Sequence, residues 1–116
     1  MHRQPRSLVL TGAVLAALVA TAPAGAMPLA KSLGGTVGPA FNISVSKRTM
    51  KAGRFTITIR DRGNIHNFHL RGPGVNRKTG VAATGTVVWT VRLRKGTYTF
   101  LCDPHASSMR GTFRVT

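Results

Sequence analysis

The chain has 116 residues, 17 of them Lys or Arg against two acids, and a formal charge of +15. That length holds one small domain. Two carboxylates leave little for general-base catalysis, and a single cysteine excludes both an internal disulfide and the two-cysteine haem attachment. One Tyr and one Trp offer little surface for stacking on bases.

In chain order, residues 1–26 read as an export signal. Arg3 and Arg6 form a basic start, Leu8 to Ala20 an apolar run too short to span a bilayer comfortably, and Ala24-Gly25-Ala26 a small-residue cleavage site. The competing reading is an uncleaved anchor; either one places the folded part outside the cytoplasm, in the periplasm or secreted. The mature chain keeps 15 basic residues and a charge near +13. Such a surface attracts acidic proteins or anionic membrane surfaces. The basic residues are spread along the chain, which argues against nucleic acid.

Residues 27–40, rich in Gly and small side chains, read as a flexible leader, and 41–116 as the folded domain. From there a period of two takes over. Phe41, Ile43 and Val45 alternate with polar residues, as do Phe55, Ile57 and Ile59. Val87, Trp89, Val91 and Leu93 share one parity; so do Tyr98, Phe100 and Cys102, and so do Phe113 and Val115. Turn residues separate the runs at Lys51-Ala52-Gly53, Asp61-Arg62-Gly63-Asn64, Gly72-Pro73-Gly74 and Arg94-Lys95-Gly96. Half-buried strands with regular turns predict an all-β sandwich or barrel of two sheets.

The one cysteine ends the Tyr98–Cys102 run, and His105 and Met109 follow within seven residues. An exported domain of about 90 residues is marginal on its core alone, so an unpaired sulfur there is a partner for another chain, a reactive thiol or a metal ligand. The neighbouring His and Met favour the metal. His66, in Ile65-His66-Asn67-Phe68-His69, supplies a second imidazole. Thiolate and thioether suit Cu(I) and imidazole suits Cu(II), so this mixture serves a copper that changes oxidation state. Each ligand taken singly reads as something plainer: Cys102 as a small buried hydrophobe, Met109 as core filler, His105 as a surface histidine. Zinc on Cys102, His66 and His105 lacks a general base, and a nucleophilic Cys102 paired with His105 leaves Met109 without a role. His69 is the alternative to His66, but on a regular strand it faces the other way. Met50 and Trp89 read as core.

The run from Tyr98 to His105 with Met109, Gly111 and a last strand, together with the upstream pair His66-Asn67 on a strand, resembles the cupredoxins, of the plastocyanin, amicyanin and pseudoazurin type. The resemblance spans residues 41–116 and implies a Greek-key β-sandwich with one mononuclear copper held by His66, Cys102, His105 and a long axial Met109. It implies that Asn67 braces the loop carrying Cys102. It also implies a non-enzymatic carrier of single electrons, leaving through His105 amid an apolar patch, with Pro104, Ala106 and the Gly72-Pro73-Gly74 turn as candidates. The expected partner is an acidic redox protein, a c-type cytochrome or an oxidase domain. Two departures stand out: a His-x3-Met spacing of intermediate length, and Asp103 where the family carries Ser or Thr. Asp103 either lowers the potential or is neutralised by an arginine. Two other readings stay open, a copper carrier that does not cycle and a cationic surface-binding module without a working metal.

Overall fold

A computed structural model describes residues 12–13 and 29–116; the export signal expected over 1–26 lies, but for residues 12 and 13, outside the described residues. Among the described residues nine strands follow in order: β1 (Lys31–Val37), β2 (Ile43–Val45), β3 (Thr49–Met50), β4 (Gly53–Asp61), β5 (His69–Gly72), β6 (Val75–Lys78), β7 (Gly85–Leu93), β8 (Gly96–Leu101) and β9 (Arg110–Val115). They form a four-stranded sheet ordered β2-β1-β4-β7 and a five-stranded sheet ordered β3-β9-β8-β5-β6. The all-β sandwich expected from the alternation is the observed architecture.

Alternation on each strand sends one parity into the space between the sheets. On β4 that parity is Phe55, Ile57, Ile59 and Asp61, all buried, while Arg54 and Arg60 face solvent. On β8 and just beyond it the parity is Tyr98, Phe100 and Cys102, each fully buried. Rings then stack across the second sheet: Phe68 on Phe100 at 5.9 Å, Phe100 on Phe113 at 6.4 Å and Phe113 on Tyr98 at 5.2 Å between centroids. Burying each such ring stabilises a domain this small by about 1.5–3 kcal/mol. The Tyr98 hydroxyl keeps its polar tip satisfied by accepting from the Arg94 N–H and donating to the Arg94 carbonyl, both at 2.8 Å.

Three expectations need correction. Residues 31–37 are not leader: β1 lies parallel to β4 over its whole length, from Lys31 beside Phe55 to Val37 beside Asp61. Gly35 reflects close packing, since a Cβ there would sit 2.8 Å from the Ile59 side chain and 2.9 Å from the Phe68 ring. Phe41 does not share a strand face with Ile43 and Val45; it precedes β2 and is 63% exposed. Val87 also fails its expected parity. It is exposed near the start of β7, an edge strand, whereas Trp89 and Leu93 further along are buried.

Candidate metal centre

Cys102 directly follows β8 and continues its inward parity, so its sulfur points between the sheets at one end of the sandwich. The chain then turns through a 3-10 turn, Asp103–His105, with Pro104 in the first turn, where its fixed φ suits the bend and its missing N–H costs nothing. The loop closes on itself. The Cys102 N–H donates to the Met109 carbonyl at 2.9 Å, the His105 N–H to the Cys102 carbonyl at 3.0 Å, and the Met109 N–H to the His105 carbonyl at 2.8 Å. This tight turn swings the His105 imidazole back towards the sulfur and leaves Met109 fully buried beneath the loop.

His66 comes from the connection between β4 and β5. The pair His66-Asn67, expected on a strand, lies just before β5. The reason is local: the Phe68 N–H donates to the Thr79 hydroxyl at 2.9 Å rather than to a ladder partner. His66 Nδ1 stands 3.2 Å from His105 Nδ1 and 3.7 Å from Cys102 Sγ, and His105 Nδ1 stands 3.5 Å from the same sulfur. A triangle with those edges has its centre about 2 Å from every corner, which matches metal–imidazole bonds of about 2.0–2.1 Å and metal–thiolate bonds of about 2.3 Å. Among the described residues these three are the group of His, Cys and acid side chains close enough to share one ion. One thiolate and two imidazoles therefore fit a single metal without rearrangement.

Around the triangle, Asn67 does what the resemblance implied. Its Oδ1 accepts the Asp103 N–H at 2.8 Å, and its Nδ2 donates to Asp103 Oδ2 at 2.7 Å and to the Thr79 carbonyl at 3.3 Å. His69 is not a ligand candidate in space. Its Nδ1 meets Asp103 Oδ1 at 2.8 Å and its Nε2 meets Asn76 Oδ1 at 2.6 Å. Asp103 is thus paired with a histidine and an asparagine rather than an arginine. Burial, the largest single effect, pushes its carboxyl up; the hydrogen bonds from His69 and Asn67 and the charges of His69 and Lys78 outweigh it and hold Asp103 below the ordinary carboxylate range.

Two features of the site were not read from the sequence. Phe41 stands edge-on to both histidines, 5.3 Å from the His66 ring and 4.8 Å from the His105 ring. No local pattern marks it, because it reaches them from the link between β1 and β2. The other is Asp61, the last inward residue of β4, which shares Gly63 with His66: its Oδ1 accepts the Gly63 N–H at 3.1 Å, and a Cβ on Gly63 would stand 3.1 Å from the His66 ring. The Gly72-Pro73-Gly74 turn, in contrast, is not beside the metal ligands. It packs against the opposite end of β8, where the Tyr98 hydroxyl lies 3.2 Å from the Pro73 carbonyl and a Cβ on Gly96 would touch the Pro73 ring.

A two-sheet β-sandwich with Cys, His and His converging at one end defines a mononuclear copper-type centre. Residues 32–116 match the family model described as copper binding proteins, plastocyanin/azurin family. The chain belongs to this family, the cupredoxins. Among solved structures it is similar to reduced rusticyanin, with 22% identity over 73% of this chain and 78% of that one and a TM-score of 0.57. An NMR structure of reduced rusticyanin gives 20% identity over 73% and 76% of the two chains, with a TM-score of 0.56. Auracyanin A, a "blue" copper protein from Chloroflexus aurantiacus, gives 18% identity over 73% and 98%, with a TM-score of 0.48. No curated protein matches the chain. The family and the donor set suit one mononuclear copper.

Proposed function

We propose that this chain carries single electrons between redox proteins, as a non-enzymatic carrier outside the cytoplasm. The observation that carries the reading is the His66–Cys102–His105 triangle, whose edges already match those of a bound metal. His66, Cys102 and His105, with the buried Met109 beneath the loop, would hold the copper. Copper bound there supplies a one-electron couple between Cu(I) and Cu(II). The chain's own contribution is rigidity. A loop closed by its backbone and clamped by Asn67 keeps the donors in place in both oxidation states, so little reorganises when an electron passes.

His105 is the ligand nearest the surface, half-buried where His66 and Cys102 are fully buried. Phe41 and Ile65, 63% and 48% exposed, give that end an apolar rim on which a partner can dock without displacing charged side chains. The basic surface beyond it favours an acidic partner.

Adding Cu(II) to residues 27–116 and recording the visible spectrum tests the site. An intense thiolate-to-copper band, lost in Cys102→Ala, is expected; weak copper absorption alone would overturn it. Electrochemistry then separates transfer from carriage, because a carrier that does not cycle would lack a reversible one-electron couple.

A further inference from the structure

Among the described residues two buried side-chain polar atoms have no hydrogen-bond partner, Asp61 Oδ2 and His66 Nε2. One is an acceptor and the other, in a metal-ligating histidine, a donor. His66 turns Nδ1 to the Cys102 sulfur and the His105 ring. A nitrogen that binds a metal carries no proton, so the proton of neutral His66 sits on Nε2. Left alone, either orphan is costly at such depth.

The two atoms belong to one corner of the core. Cδ2 of His66, the ring carbon bonded to Nε2, lies against the backbone of Gly38 and Gly63: a Cβ on these would come within 2.9 and 3.1 Å of it. Gly63 is also the residue whose N–H Asp61 holds, through Oδ1 at 3.1 Å. The His66 ring and the Asp61 carboxyl therefore border the same glycine, without a direct hydrogen bond between Oδ2 and Nε2. A pairing through water would also account for the burial of one of the chain's two acids. Asp61 is 5% exposed and ends the inward row of Phe55, Ile57 and Ile59. Cu(II) with one thiolate and two neutral imidazoles leaves one net positive charge inside the protein, and a buried charge is tolerated only with a counter-charge.

We propose that Asp61 is the outer partner of His66: its Oδ2 accepts the hydrogen bond of the Nε2 proton across one bridging water, and its charge offsets that of bound Cu(II). The inference rests on the copper reading for its second half and on this corner of the fold for its first. Asp61 is a positioning residue. It fixes the His66 tautomer that points Nδ1 at the metal, and it favours the oxidised site over the reduced one.

Asp61→Asn separates this role from a structural one. Its side-chain oxygen still receives the Gly63 N–H, while an NH2 group that accepts nothing replaces Oδ2 and the charge is gone. Two readouts apply. By NMR of the metal-free and Cu(I) chains, exchange of the His66 Nε2 proton should be at least about tenfold faster in the variant once its acceptor is lost. In metal titrations, Cu(II) affinity should fall about 10–100-fold and Cu(I) affinity less, raising the reduction potential by about 59 mV for each tenfold difference. Unchanged exchange and an unchanged Cu(II)/Cu(I) affinity ratio would overturn the proposal. Asp61→Ser, whose hydroxyl can also take the Gly63 N–H, gives the same comparison should the Asn variant not fold. Lack of a thiolate-to-copper band in the unmodified chain would sink the copper reading instead, and proton exchange in the metal-free chain would still decide the Asp61–His66 contact.

Discussion

Asn67 and Asp103 hold each other twice, 36 residues apart in sequence: the Asp103 N–H donates to Asn67 Oδ1 at 2.8 Å and Asn67 Nδ2 donates to Asp103 Oδ2 at 2.7 Å. The clamp joins the segment carrying His66 to the loop carrying Cys102 and His105. Asn67→Ala strands the Asp103 N–H and half of the carboxylate, so it should destabilise the metal-free chain by about 1–3 kcal/mol. It should also weaken copper binding by about 10–100-fold. Denaturant melts and metal titrations check both. A variant that binds copper as the unmodified chain does would show that the loop's own backbone hydrogen bonds suffice.

The two acids should act on acid stability with opposite signs. Asp103 is held below its ordinary value near 3.8, so the stability it contributes is present above that pH and is lost as pH falls through its lower folded value. Asp61 is raised, chiefly by burial, against the Gly63 N–H and the charge of His66, which pull it down. Its contribution is present below pH 3.8 and is lost as pH rises through the higher folded value. At pH 7, then, Asp103→Asn should lower the melting temperature of the metal-free chain, whereas Asp61→Asn relieves a buried charge as well as removing the acceptor of the His66 Nε2 proton, so it should change the melting temperature less than Asp103→Asn does. An equal loss in both variants would mean that neighbouring hydrogen bonds outweigh the burial of Asp61.

Gly38 has φ +69 and touches the Cδ2 carbon of His66, 2.9 Å from where a Cβ would stand. Gly38→Ala combines backbone strain of about 1–3 kcal/mol with a push on a ligand ring. It should both destabilise the fold and shift the energy of the thiolate-to-copper band, seen by melting and visible absorption together. A destabilised variant with an unshifted band would place the whole effect in the backbone.

Electron exchange with an acidic redox protein should slow steeply as salt rises. The charge of +15 over the full chain includes few acids to offset it, and one of the two is buried. Screening over about 10 Å at 0.1 M salt weakens long-range attraction but not short-range docking. Stopped-flow rates at several ionic strengths measure this; rates indifferent to salt would leave docking to the apolar rim of Phe41 and Ile65 alone.

Much of the site was legible along the chain because its parts are local. Cys102, His105 and Met109 lie within one loop, and a thiolate, an imidazole and a thioether at the end of an inward-facing strand carry their chemistry in their types. The two-residue period of β4 and β8 likewise shows which side chains enter the core. His66 is marked along the chain by its neighbour Asn67, whose side chain accepts the Asp103 N–H across the fold.

What the sequence determined by itself was the class of fold, the donor set and the charge, since these follow from residue type and short-range order. Only the tertiary structure decided which distant residues surround the donors. β1, read as leader, is a strand because β4 pairs with it, a contact no local pattern encodes. Asp103 found His69 instead of an arginine because β5 places that ring beside the loop. Phe41 meets both histidines because the link between β1 and β2 ends at the same corner. Asp61 shares Gly63 with the ring of His66 because the inward row of β4 ends there. Each of these is a long-range contact, and its energy exists only once the two sheets have closed on each other.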